Sequence, residues 1–244
     1  MGAGQTVQRE SALLATIYAR GKELSSVPIS HRIRSEEASS NTQFIWCDRP
    51  LSAILLLVLS PLFLGIAIAM LLLSRKSPII AHRRVGQYGS ELWVLKFRTM
   101  WQRGEAPHKV GDIFSIEFID DEVGPGCKGP EDGRVGSRFA RFCRRHSLDE
   151  LPQIFHVLEG RMSLVGPRPV TKAEVDKIYG ADAAEILRAK PGLAGLWQVS
   201  GRNLLTSTER RALDLEWVRN QSLGLYVVIL LRTVPELFFG GNTW

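Results

Sequence analysis

The chain has 244 residues, 45% of them hydrophobic, with a net charge of +6 at neutral pH. That length allows one or two domains with a real core, and the positive balance favours anionic partners: nucleotides, phospholipids, lipid phosphates or nucleic acid. Three scattered cysteines (Cys47, Cys127, Cys143) form no CxxC pair, which argues against a zinc centre or a disulfide framework and suits a reducing compartment.

Residues 1–42 are polar and mixed in charge, and read as a mobile N-terminal arm ahead of a domain over 43–244. Residues 51–73 then run for 23 positions without a charge, bracketed by Asp48-Arg49 and Arg75-Lys76. That is the length of a membrane helix, expected at about 49–74 and starting too late for a signal peptide. Ser60-Pro61 interrupts it near the middle. Proline removes a backbone donor, and serine can bond back to the freed carbonyl, so a break there is tolerable in lipid. Residues 74–103 carry Arg75, Lys76, Arg83, Arg84, Lys96, Arg98 and Arg103, which marks that side as cytoplasmic. A simple span would export residues 1–47, whereas a helix that bends at Ser60-Pro61 and returns keeps both ends inside. From the residues alone both remain open.

Residues 79–100 alternate as strands do around Gly86-Gln87-Tyr88-Gly89, so a hairpin is expected. Residues 103–137 are rich in glycine and acid and are expected to form a long loop, with Asp120-Asp121-Glu122 as a solvated acidic turn. Helices are expected near 171–189 and 206–220. The apolar tail 223–239, interrupted by Arg232 and Pro235, suits an interfacial helix better than a span.

The chemistry concentrates in 144–169. Adjacent carboxylates, Asp149 and Glu150, stand between Arg144-Arg145 and an arginine clamped by prolines, Pro167-Arg168-Pro169. A carboxylate that attacks phosphorus needs cations or a metal to neutralise the phosphoryl oxygens. Ser147-Leu148-Asp149-Glu150 also fits a capping box, in which Glu150 merely caps a helix. Pro152 fits better in a first turn if Asp149 is the N-cap. Either register puts Asp149 at a helix N-terminus, where the dipole favours an anion. Glu150 beside it suits magnesium, a hard ion that bridges to substrate phosphates.

Taken together, Ser60-Pro61, Lys96-Phe97-Arg98-Thr99-Met100, Ser147-Leu148-Asp149-Glu150-Leu151-Pro152-Gln153, Gly166-Pro167-Arg168-Pro169, Gly195-Leu196-Trp197-Gln198 through Arg202, and Asp214 resemble one family over about 44–235. It is the small monotopic phosphoglycosyl transferases, bacterial sugar transferases that start exopolysaccharide, O-antigen and capsule assembly. The resemblance implies an α-rich α+β fold: a single monotopic membrane domain with a re-entrant, Ser-Pro-broken helix, a short β-hairpin and interfacial amphipathic helices. It implies a ping-pong reaction at the cytoplasmic face of the bacterial inner membrane. Asp149 would attack the sugar-bearing phosphate of a UDP-hexose, release UMP, and pass hexose-1-phosphate to undecaprenyl phosphate. Glu150 would hold Mg2+, and Arg144, Arg145, Arg168 with its prolines, Lys96, Arg98, Gln198, Arg202 and Asp214 would bind substrate. Ala81-His82-Arg83-Arg84-Val85-Gly86 and the stretch 192–203 are most similar to the rhizobial branch, favouring galactose-1-phosphate over glucose-1-phosphate. A catalytically idle membrane scaffold is the rival reading. No nucleic-acid motif is present, and oligomeric state is left open. Three departures from the family pattern stand out: Phe44-Ile45 where Lys-Arg is usual, a stretch between Asp132 and Ser147 one residue longer than usual, and Tyr226 where Asp is common.

Overall fold

The computed structural model describes residues 45–101, 115–120, 135 and 137–239; the expected arm at 1–42 and most of the 103–137 stretch lie outside the described residues. The first described element is the apolar helix α1 (Ile45–Ser74), 30 residues and so about 45 Å long. Buried or half-buried positions recur at 48, 51, 52, 55, 59, 63, 66, 67 and 70, the spacing of one helical stripe. The opposite side is apolar yet exposed, with Leu57 at 76% and Leu72 at 71%. Among the described residues α1 is the one helix long and apolar enough to cross a membrane, and little of its apolar stretch is buried. Helical residues continue through Ser60-Pro61 rather than stopping there. Pro61 cannot donate to the carbonyl of Leu57, and Ser60 Oγ donates to that carbonyl instead, at 2.7 Å.

The expected hairpin forms from β1 (Ile79–Val85) and β2 (Glu91–Phe97), antiparallel with Ile79 opposite Phe97 and Val85 opposite Glu91. The expected long loop contributes a third strand, β3 (Glu117–Ile119), parallel to β1. Asp120 is exposed, as expected of a solvated acid, and pairs with Arg83 at 2.8 Å; Asp121 and Glu122 lie outside the described residues. Helix α2 (Arg138–Arg145) is capped by Ser137, whose side chain accepts from the Ala140 amide. A 3-10 turn over Leu148–Gln153 leads into α3 (Ile154–Glu159). Strands β4 (Ser163–Val165) and β5 (Gly192–Ala194) pair in parallel.

The stretch expected as one helix near 171–189 is a chain of short turns instead: Lys172–Glu174, a π-helical Val175–Tyr179, Gly180–Asp182 and Ala183–Ile186. Helices α4 (Ser207–Arg219) and α5 (Leu223–Phe239) close the fold. One core cluster joins the start of α1 to β4, α4 and α5 through Leu164, Trp217 and Ile229. A second joins the far half of α1 (Ile66, Met70) to Phe97, Cys143, Leu148 and Leu151. Each fully buried aliphatic there contributes about 1.5–3 kcal/mol. Both halves of α1 are thus fastened to the same folded body.

Candidate active site

The acidic pair sits in the 3-10 turn, and neither sequence-derived cap forms. Ser147 has φ of +54°, the left-handed region, whereas an N-cap needs extended backbone, and its side chain caps nothing. Its Oγ instead accepts from Arg202 Nη2 at 3.3 Å. Asp149 and Glu150 therefore lie inside the first turn rather than at its cap. Pro152 falls within the same turn, buried.

Cations from distant parts of the chain converge on Glu150. Lys96, near the end of β2, donates to Glu150 Oε1 at 2.7 Å. Arg168 donates through Nη2 to Oε1 at 2.8 Å and through Nη1 to Oε2 at 3.3 Å, a fork on one carboxylate. Burial opposes ionisation, but Arg168 and Lys96 prevail and hold Glu150 well below the usual carboxylate range. Asp149 differs. Burial and then the Glu150 charge push its carboxyl up, while Lys96, Arg144 and Arg168 pull the other way. Among the described residues no hydrogen bond reaches the Asp149 carboxylate, so its lone pairs stay available. The neighbouring thiol of Cys143 stays protonated, because burial and the Asp149 charge push it up to about 12.

The arginine of the Gly-Pro-Arg-Pro loop is held from both sides. The Gly192 amide donates to the Pro167 carbonyl at 2.8 Å, and the Gly166 amide donates to Ala194 at 2.8 Å. Beyond Pro169, the Val85 amide donates to the Val170 carbonyl at 2.8 Å, tying the loop to β1. Backbones cross so closely that a Cβ on Gly166 would lie 2.9 Å from the Gly192 nitrogen. Glycine at both positions is a steric requirement, and it fixes where Arg168 can reach.

The remaining expected site residues divide. Arg144, in the last turn of α2, lies within electrostatic reach of Asp149, and Arg145 is exposed. Gln198 is buried with Oε1 lacking a partner, in the layer beside Gly195 and Gly166. Two others are engaged elsewhere. Arg98 is 5% exposed and donates from Nε to the Ser77 carbonyl at 2.7 Å, with Nη1 on Glu117 at 2.8 Å, so it clamps the sheet. Asp214 is buried against Tyr179, whose hydroxyl donates to Oδ2 at 3.0 Å, and burial pushes its carboxyl up to about 8. His156 escaped the sequence reading. Buried on α3, it accepts from the Leu95 amide through Nε2 at 3.1 Å, bracing the strand next to Lys96. Its only sequence signal is a histidine one turn beyond the acidic pair.

As metal ligands, the residues fit an ion carried in with substrate rather than a resident cage. No group of three or more His, Cys, Asp or Glu gathers among the described residues. Adjacent carboxylates with one open member do suit magnesium, which takes one or two carboxylates plus substrate phosphates.

The bacterial sugar transferase family matches residues 41–240. The chain belongs to that family. Among relatives of this sugar transferase, the exopolysaccharide production protein ExoY of Rhizobium meliloti is 39% identical over 187 residues, 76% of this chain and 81% of that one. The undecaprenyl-phosphate galactose phosphotransferase of Salmonella typhimurium is 40% identical over 159 residues, 64% of this chain but 32% of that longer protein. The UDP-glucose:undecaprenyl-phosphate glucose-1-phosphate transferase of Caulobacter vibrioides is 36% identical over 201 residues, 79% of this chain and 68% of that one.

Proposed function

We propose that this sugar transferase moves hexose-1-phosphate from a UDP-hexose to undecaprenyl phosphate through a covalent intermediate on Asp149, starting exopolysaccharide assembly. The observation that carries this reading is the asymmetry of the acidic pair: Glu150 is tied by Lys96 and Arg168, while the Asp149 carboxylate accepts no hydrogen bond among the described residues. An untied carboxylate with raised basicity is the better nucleophile. In the first half-reaction an Asp149 oxygen bonds to the sugar-bearing phosphorus. The bond from that phosphorus to the bridging oxygen breaks, and UMP leaves with that oxygen. In the second, an oxygen of undecaprenyl phosphate bonds to the same phosphorus and the bond to Asp149 breaks. The products are the lipid diphosphate sugar and the free carboxylate, and no net proton is consumed.

Lys96, Arg144 and Arg168 supply the positive field that lets a carboxylate approach a phosphate. Magnesium would be held by Glu150, whose Oε2 carries only the longer Arg168 contact, together with substrate phosphates. When bound it would neutralise charge on the phosphoryl oxygens.

A re-entrant α1 at the cytoplasmic face of the inner membrane is the matching membrane arrangement. Its support is that both halves of α1 pack on the catalytic body, so neither end is free to lie across the bilayer from the other. Cys47 is exposed near the start of α1, so an impermeant maleimide should label it in inverted vesicles of a Cys127→Ser variant and not in intact cells. Labelling only in intact cells refutes re-entry.

For the sugar, relatives named for galactose and for glucose stand at 40% and 36% identity, so galactose rests on the similarity of 81–86 and 192–203 to the rhizobial branch. The deciding experiment is UMP release from UDP-galactose and UDP-glucose by purified protein, with and without undecaprenyl phosphate. We expect release from UDP-galactose, a phosphosugar adduct on the protein, and loss of both in Asp149→Asn. An Asp149→Asn variant that still releases UMP sinks the mechanism, and turnover of UDP-glucose alone sinks galactose.

A further inference from the structure

Arg210, on α4, belongs to none of the motifs above, yet its surroundings are unusual for a half-buried cation. Its guanidinium carbon lies 4.8 Å from the centroid of the Trp197 ring, a stacking that holds the planar group in place. Trp197 is itself 8% exposed, so this shelf is part of the core rather than a mobile surface contact. Nε of Arg210 is buried with no hydrogen-bond partner, and among the described residues no carboxylate pairs with it. Its neighbour Arg211 is ordinary by contrast, paired with Asp182 at 3.3 Å.

A second guanidinium stands nearby. Burial first, and then the charge of Arg168, depress the basicity of Arg210, with Glu174 opposing. Glu174 is held locally, its Oε2 accepting from the Thr171 amide at 2.8 Å and from Thr171 Oγ1 at 3.2 Å, and among the described residues it forms no ion pair with Arg210. Arg168 itself is shared with Glu150. Two half-buried guanidinium groups thus stand within electrostatic reach of each other, and Arg210 has no carboxylate paired with it among the described residues. Such an arrangement is costly unless a further anion enters.

The Trp197 shelf adjoins the Arg168 loop: Gln198, the next residue, and the Gly166 carbonyl both crowd Gly195. Leu196 and Val199 on either side pack on the cluster that includes Leu51, Leu55 and Tyr226, which fixes the shelf in the core. A nucleotide diphosphate brings two phosphates to two guanidinium groups, whereas a polyprenyl phosphate brings one.

We propose that Arg210, braced on Trp197, joins Arg168 as a second guanidinium for the nucleotide diphosphate and serves the departing UMP rather than the lipid phosphate. This rests on the transferase reading, and the test separates the two. UMP affinity is measured by calorimetry for the wild type, Arg210→Gln, Arg210→Lys and the control Arg211→Gln. Single-turnover formation of the phosphosugar adduct without lipid, and its discharge to undecaprenyl phosphate, are then timed separately. Arg210→Gln should bind UMP about tenfold or more weakly and form the adduct correspondingly slowly, as expected for a lost charged hydrogen bond. Arg210→Lys should recover part of the loss, and Arg211→Gln should match the wild type. Discharge to the lipid should stay within about twofold in all four. The proposal is overturned if Arg210→Gln binds UMP like the wild type, if Arg211→Gln loses as much, or if only discharge slows. It is overturned also if the wild type binds no UMP. A wild type that binds UMP but forms no adduct refutes the transferase reading, while the affinity comparison still decides the role of Arg210.

Discussion

Tyr226→Phe tests the joint that holds the membrane elements to the Arg168 loop. Asp48, 3% exposed, accepts from the Tyr226 hydroxyl at 2.6 Å and the Leu164 amide at 3.1 Å on Oδ1, and from Ser163 Oγ at 2.7 Å on Oδ2. One buried carboxylate thereby links α1, β4 and α5. The substitution keeps the ring in its packing beside Ile229 and Val157 and deletes one donor to a buried acceptor. A hydrogen bond to a charged group is worth about 1.5–3 kcal/mol, so a loss of about 2 kcal/mol is expected. Asp48→Ala strands three donors at about 1–3 kcal/mol each and should cost at least about 4 kcal/mol, a large share of a domain's stability. Tyr226→Asp, which restores the residue common in the family, should be worse than Phe here, because two carboxylates in contact force one to take up a proton. Thermal and urea unfolding in one fixed detergent reads all three, and a double-mutant cycle of Asp48→Ala with Tyr226→Phe should show coupling of at least about 1 kcal/mol. A Tyr226→Phe cost under about 0.5 kcal/mol, the range of ordinary surface changes, refutes the joint.

Gly192→Ala should drive a methyl into the Gly166 backbone, costing about 1–3 kcal/mol and raising KM for the UDP-hexose through displaced Arg168, measured by unfolding and steady-state kinetics. Asp214 stays protonated up to about pH 8 when folded but ionises near 4 when unfolded, so the folded state binds the extra proton between those values. Its contribution is complete below about pH 4 and is lost as pH rises towards 8, with a slope of up to about 1.4 kcal/mol per pH unit; urea midpoints across pH 5–9 should show this slope in the wild type and not in Asp214→Asn. His156→Phe leaves the Leu95 amide without its acceptor, costing about 1–3 kcal/mol and loosening the strand that carries Lys96; amide exchange at Leu95 should accelerate with the loss of stability.

How far the sequence could be read depended on whether a feature was local. The hairpin, the apolar helix and the two carboxylates were legible because alternation, an uncharged run and residue identity are properties of adjacent positions. The S/T-x-x-E pattern marks its limit. It occurs at Ser147, Thr171, Thr206 and Thr233; Thr171 and Thr206 form complete capping boxes because each has extended backbone, whereas Thr233 lies inside α5 and donates to the Ile229 carbonyl. Ser147 follows His146, the C-cap of α2, in left-handed backbone, and its side chain makes no cap bond to its own turn. Lys96 and Arg98 make the same point: two residues apart, they would share a face of a continuing strand, but β2 ends at Phe97 and Arg98 turns to Ser77 and Glu117. Glu117 belongs to a strand hidden inside an apparently loop-like, glycine-rich stretch. The distinction that matters for chemistry is less local still. Asp149 and Glu150 are interchangeable as neighbours in a motif, and what separates them is that Lys96 and Arg168, 54 and 18 residues away, both choose Glu150. On the proposed reading the nucleophile is defined by what its neighbour has been given, and that is a property of the tertiary structure alone.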